Sequence, residues 1–352
     1  MEKGNCHLDA RAWLVWVLAA AALAMTIRNP LYTVILLLIA RVVDVACGRP
    51  DAGLDLPLGR IAVTVLFFAT LFNGLFVHSG RTVLFALPAT WPLIGGPITV
   101  EGMAYGLETG LILLALLFLF VTFNRVVSPG ELVRLTPRAF HDLGVVVLIA
   151  ITYVPETARH LERIREAQAI RGHRLRGLRD WRPVIIPLLV GGLERAMSVA
   201  EAMVARGYGA TAGREQSPRM LIGLVLGLLL LLAGWLLAFW YDLLGWSLLG
   251  SGGLLLGVLL WRNGRRVIHT RYRPRPWTRQ DTLLSVAALV PLLVVFVPWP
   301  FLAQDTLGYT PYPLIHLPPF DPVIGLVLLL FTLPAILSTG ATRPNVEGPA
   351  YD

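Results

Sequence analysis

Eight mostly apolar stretches divide this chain, at 12–28, 31–47, 61–78, 103–123, 219–240, 246–261, 282–299 and 322–339. About 20 such residues are needed for a helix to cross about 30 Å of hydrocarbon. The fold class expected is therefore an all-α polytopic membrane protein with about eight transmembrane helices. Composition agrees: of 352 residues, 56% are apolar and only 15% are charged. A soluble domain carries about 25% charged residues, so a disordered chain is excluded and an ordinary cytosolic enzyme is disfavoured. Arg28-Asn29-Pro30 and Tyr241-Asp242 mark tight turns between neighbouring spans. The first stretch superficially resembles a signal peptide, with Ala22-Leu23-Ala24 as a cleavage site. The Asn-Pro turn leads straight into another span, so an uncleaved first helix is expected. Cys6 and Cys47 are too few for a disulfide framework or a metal site, and both are expected as reduced thiols.

Charge orients the spans. The net charge is +8 and the pI is near 10.0. In a membrane protein such an excess belongs to cytoplasmic loops. With the N-terminus inside, 27 of the 30 basic residues fall on the inner side and only Arg28 and Arg81 outside. Leaving out the one long segment, where the rule weakens, the balance is still 12 against 2. Both termini are thus expected in the cytoplasm. Trp13, Trp91, Trp240, Trp246, Trp261 and Trp299 lie near span ends, where amphipathic rings favour the interface. Arg41 and Asp44 are placed to pair at i and i+3. Glu108 stands more alone in its span, either as an interfacial carboxylate or as a group serving another helix.

The organisation that follows is an N-terminal group of about four spans (1–123), a cytoplasmic segment (124–218), a C-terminal group of about four spans (219–340) and a cytoplasmic tail (341–352). The stretch Gly144–Val154 is apolar for eleven residues, about 16 Å of helix. It is too short to span and is placed in a helix at the cytoplasmic surface, with an added span as the alternative. The segment from Asn124 to Arg219 carries fifteen basic and nine acidic residues.

Within it lies a short echo. Residues 166–172 read EAQAIRG and residues 201–207 read EAMVARG. The second copy ends a helix whose apolar face is expected to be Leu193, Ala196, Met197, Ala200, Met203 and Val204, with Glu194, Arg195, Ser198 and Glu201 on the other side. The first copy follows Pro155 and a charged run in which Arg159–Glu162, Glu162–Arg165 and Arg163–Glu166 pairs are expected. Gly172 and Gly207 are placed to end the two helices in the left-handed conformation, each after an arginine that complements the helix dipole. Arg then Gly can end any helix. Two copies, each with alanines beside the arginine, favour ends that another surface approaches closely, where the guanidinium forks meet carboxylates.

These residues resemble the transmembrane T component of energy-coupling factor transporters, importers of vitamins and metal ions in the ATP-binding-cassette class. The matching phrases are IREAQAIRG at 164–172 and AEAMVARGYG at 200–209, with SPGEL at 128–132 and the Arg-Asn-Pro-Leu turn at 28–31. The resemblance covers roughly residues 10–265. In the first motif Ile170 replaces the alanine next to the arginine, and Ala169 stands one place earlier. The last two spans and the connection holding Pro311, Pro313, Pro318, Pro319 and Pro322 are not accounted for. What the resemblance implies is a subunit without chemistry or cofactor of its own. Two cytoplasmic ATPases bind the coupling helices, and a substrate-binding membrane S component packs against the T component. Ala169, Arg171, Gly172, Ala205, Arg206 and Gly207 would make the ATPase contacts.

Two rivals remain. A conventional permease would bind its own substrate while also engaging ATPases. A polytopic membrane enzyme would need catalytic groups at one membrane face. The seven histidines form no His-x-x-x-His or His-Glu-x-x-His pattern, and no Gly-x-x-x-x-Gly-Lys phosphate loop exists. The seven arginines at 262–279 lie between two spans, so their expected partner is anionic membrane lipid, not nucleic acid.

Overall fold

The computed structural model describes residues 8–49, 57–88, 95–136, 141–172, 177–208, 218–266, 276–299 and 302–340. Helices start where the sequence supplies caps. Asp9 accepts from Arg11 N–H at 2.8 Å and opens α1 (Ala10–Thr26). Asn29 accepts from Leu31 N–H, and Pro30 fills the first position of α2 (Pro30–Cys47). Then come α3 (Leu58–Phe76) and a small antiparallel pair, β1 (Val83–Ala86) with β2 (Pro97–Thr99). Thr99 caps α4 (Val100–Val126), which is followed by α5 (Pro129–Arg134), α6 (His141–Ile170) and α7 (Arg182–Ala205). The rest is α8 (Pro218–Leu237), α9 (Asp242–Arg266), α10 (Arg279–Phe296), α11 (Pro322–Leu328) and α12 (Leu333–Gly340). The molecule is an all-α polytopic membrane protein.

Each of the eight expected stretches is helical over most of its length. Helices α2, α3, α4, α8, α9 and α10 are long and apolar enough to cross a membrane, and so is α7. Two of these stretches fall below the roughly 20 residues of a typical span. Helix α1 has 17 residues. The last stretch is interrupted by a 3-10 turn at Leu329–Thr332, just before Pro334. The residues 144–154 join one continuous 30-residue helix, α6, which runs through Pro155.

The chain divides into two compact units, Met1–Leu132 with Arg273–Asp352, and Val133–Tyr272. In the first unit α1 is buried nearly all round, with Ala12, Trp13, Trp16, Leu23 and Ala24 fully enclosed. Trp13 is therefore core, not an interfacial ring, because the small alanines of α1 let its neighbours close over it. Trp240, Trp246 and Trp261 are exposed, as an interfacial belt requires; Trp91 lies outside the described residues. Along α4, Gly102, Gly106 and Gly110 form a ridge of missing side chains against α3. A Cβ on Gly106 would stand 2.6 Å from the Ala69 carbonyl oxygen.

The C-terminal helices complete this unit. Trp16 Nε1 donates to Phe331 O at 3.1 Å, and Asp9 N–H donates to Asp281 Oδ1 at 2.7 Å. The Asn29 amide donates to Thr306 O and Pro319 O, both at 2.7 Å. Arg28 and the 307–309 segment exchange backbone bonds, Arg28 N–H to Leu307 O at 2.9 Å and Tyr309 N–H to Arg28 O at 2.7 Å. The proline-rich connection that the family motifs leave unexplained is thus clasped by the first interspan turn. Asp44 pairs with Arg41 as expected and also with Arg125 of α4 at 3.0 Å. Glu108 is buried, with one carboxylate oxygen lacking a hydrogen-bond partner. Cys47 is disulfide-bonded, not the reduced thiol expected; Cys6 lies outside the described residues.

In the second unit α8 and α9 pack as a tight hairpin, with Gly245 against the backbone of Ala238 and Gly227 against Leu256. Helices α6 and α7 form the other pair.

Candidate functional site

Both arginine motifs end a long helix in the same way. Helix α6 stops at Ile170 and α7 at Ala205, and Gly172 and Gly207 both take φ +81°. Gly207 N–H donates to Val204 O at 2.9 Å and Tyr208 N–H to Met203 O at 2.9 Å. Those two bonds are the Schellman pattern. The first end repeats its inner bond, Gly172 N–H to Ala169 O at 2.9 Å. No atom lies within 4 Å of a Cβ built on either glycine. Among the described residues nothing crowds these positions, so their glycines answer to backbone conformation.

All six candidate contact residues, Ala169, Arg171, Gly172, Ala205, Arg206 and Gly207, are exposed. Arg171 and Arg206 form no ion pair among the described residues. Their apolar neighbours are exposed too: Ile170 is 89% and Val204 71% accessible.

The expected apolar face of α7 does not meet α6. Leu193, Met197 and Val204 are exposed, as are Ala196 and Ala200. The packed strip instead runs through Val184, Leu188, Gly191, Arg195, Val199 and Met203. Of the expected face only Met203 belongs to it, and Arg195, placed on the opposite side, lies within it. The reason is steric. Gly191 lets α6 come so close that a Cβ there would stand 2.9 Å from His160 Nε2. The bulky apolar residues are left pointing away.

Charge pairing also differs from the expectation. Arg159 and Arg163 turn to Glu156, at 3.6 and 3.1 Å, instead of to Glu162 and Glu166. Arg195 reaches across from α7 to the same carboxylate at 3.6 Å, with its guanidinium 5.8 Å from the centre of the Tyr153 ring. Helical spacing offers each arginine several equivalent acids. The contact from α7 singles out Glu156, and no signal local to α6 announces it. No cluster of three or more metal-ligating side chains occurs among the described residues.

These features place the chain among multi-pass membrane proteins, with two exposed Arg-Gly helix ends. The family model named CbiQ, described as cobalt transport protein, matches residues 5–219, which include both motifs. The chain belongs to that family and is a T component of the energy-coupling factor class. Among its relatives are energy-coupling factor transporter transmembrane proteins EcfT. That of Staphylococcus aureus is 26% identical over 59% of this chain and 81% of its own length. That of Bacillus selenitireducens is 26% identical over 51% and 72%. That of Exiguobacterium sibiricum is 32% identical over 26% and 36%.

Proposed function

We propose that this chain is the non-catalytic coupling subunit of an energy-coupling factor importer of vitamins or metal ions. Two cytoplasmic ATPases bind the ends of α6 and α7. A substrate-binding membrane S component packs against the chain, and lipid surrounds the spans. ATP binding draws the ATPases together, and the helix ends carry that motion to the S component. Both termini face the cytoplasm, with 124–218 as the coupling segment between the two groups of spans. The observation that carries this reading is the pair of matching helix ends, each presenting small residues and an exposed arginine that forms no ion pair among the described residues. Arg171 and Arg206 reach acidic residues of the ATPases, while Ala169, Gly172, Ala205 and Gly207 allow their close approach. Such a desolvated Arg–carboxylate pair is costly to break, about 2–5 kcal/mol when one partner is removed.

The test is co-purification with candidate ATPases. The double variant Arg171→Glu/Arg206→Glu is expected to insert normally and to lose the ATPases. Undiminished binding in that variant would overturn the reading.

A further inference from the structure

The geometry points to Glu156 as the positioning residue that fixes the angle between the two coupling helices, by clamping Arg195 of α7 one turn from the Gly191–His160 contact. The inference rests on the coupling reading above and adds what keeps the two ends in step. Helices α6 and α7 meet along one narrow strip. Gly191 packs against His160 there, and Glu156 lies one helical turn from His160, as Arg195 does from Gly191. Small residues at such a point allow sliding and rotation as readily as close packing, so apolar contact there leaves the crossing angle poorly defined. A charged fork held by a carboxylate defines it better.

The details favour a clamp over an ordinary surface pair. Glu156 is half-buried and Arg195 retains about a third of its side-chain exposure. The Arg195 guanidinium is steadied by the Tyr153 ring of α6. Arg159 and Arg163 crowd the same carboxylate from its own helix. One acid therefore balances three cations and is the shared element whose loss frees them all. Arg195 precedes Arg206 by eleven residues and Glu156 precedes Arg171 by fifteen, about 16 and 22 Å of helix. A small rotation at the clamp is enlarged at both ends.

The test measures the distance between bioorthogonal spin labels at the exposed, echo-related positions 166 and 201. It is made on the full chain in detergent and on the complex with its ATPases, with and without ATP. In the native background a narrow distribution that shifts on adding ATP is expected. Glu156→Gln should broaden the distribution and abolish the shift while leaving ATPase co-purification and ATP hydrolysis in place. Arg195→Gln, made on the other helix, should do the same. The pair together should be no worse than either alone, since the two act as a unit, and Glu156→Asp should restore much of the shift. Unchanged distributions in both single variants, or losses that add in the double variant, would overturn the clamp. Failure of the coupling reading itself looks different: the Arg171→Glu/Arg206→Glu variant would keep its ATPases, whatever the label distances show.

Discussion

Helices α1 and α7 are both apolar and both span several turns, yet they are treated in opposite ways. Ten residues of α1 are buried, Trp13 and Trp16 completely. In α7 only Val184 is, while Ile186, Leu189, Leu193 and Met197 are all more than half exposed. The core of the first unit, built on α1, is buried and tied by long-range polar bonds, although α3 of the same unit stays as exposed as α7. Helix α7 of the second unit leaves its apolar residues exposed, and large exposed apolar faces generally mark interaction sites. Stability should therefore be concentrated in the first unit and interaction in the second.

Glycine substitutions can break this contrast most sharply. At Gly106 a Cβ would stand 2.6 Å from Ala69 O and 2.9 Å from Thr70 Cα. Backbone cannot yield as a side-chain tip can. Gly106→Val is expected to cost about 3 kcal/mol or more, seen as a large drop in the melting temperature of the detergent-solubilised protein. Gly192, in mid-α7, has nothing within 4 Å. Gly192→Ala should leave melting unchanged or raise it slightly, because alanine favours a helix over glycine by about 1 kcal/mol. Equal losses at the two sites would mean that the units do not differ as described.

Next in size is the clasp at Asn29. Its side chain caps α2 and its amide satisfies two carbonyls nearly 300 residues away in sequence. Asn29→Ala loses the cap and strands both carbonyls, at a cost of about 2–3 kcal/mol. The region 302–322 should become the first site of limited proteolysis. A variant that is cleaved no faster there would show that the connection is held by other contacts.

How much of this was legible in the sequence depends on whether a feature's partner is local. The Asn29-Pro30 turn, the Arg41–Asp44 pair and both glycine-ended helices rest on neighbours within a turn or two, and the structure has them all. The strip joining α6 to α7 does not. Periodicity names the face of a helix that avoids water. It does not say whether that face meets the same chain, lipid or another subunit. In α7 the apolar face points outward, and the internal contact falls to Gly191 and Arg195. Likewise nothing near Asn29 announces Thr306 and Pro319. The ridge Gly102, Gly106 and Gly110 has the four-residue spacing of close-packed membrane helices and could have been found from that spacing alone.

The smallest expected effect sits at the helix end itself. Gly207 has φ +81° with open space around it, so Gly207→Ala meets no atom and suffers only backbone strain, about 1 kcal/mol. Bulk melting, governed by the first unit, should not change. The strain should appear in the bonds that close the end, from Gly207 N–H to Val204 O and from Tyr208 N–H to Met203 O. Hydrogen exchange of those amides should speed up by a factor of about 5, the equivalent of 1 kcal/mol. Gly207→Asn should show less, since asparagine tolerates the left-handed region better than alanine. Gly172→Ala, at the same φ and equally uncrowded, should behave like Gly207→Ala at the end of α6. If the alanine variants exchange like the native chain, the ends are not held by left-handed glycines, and the likeness between the two helix ends loses its physical basis.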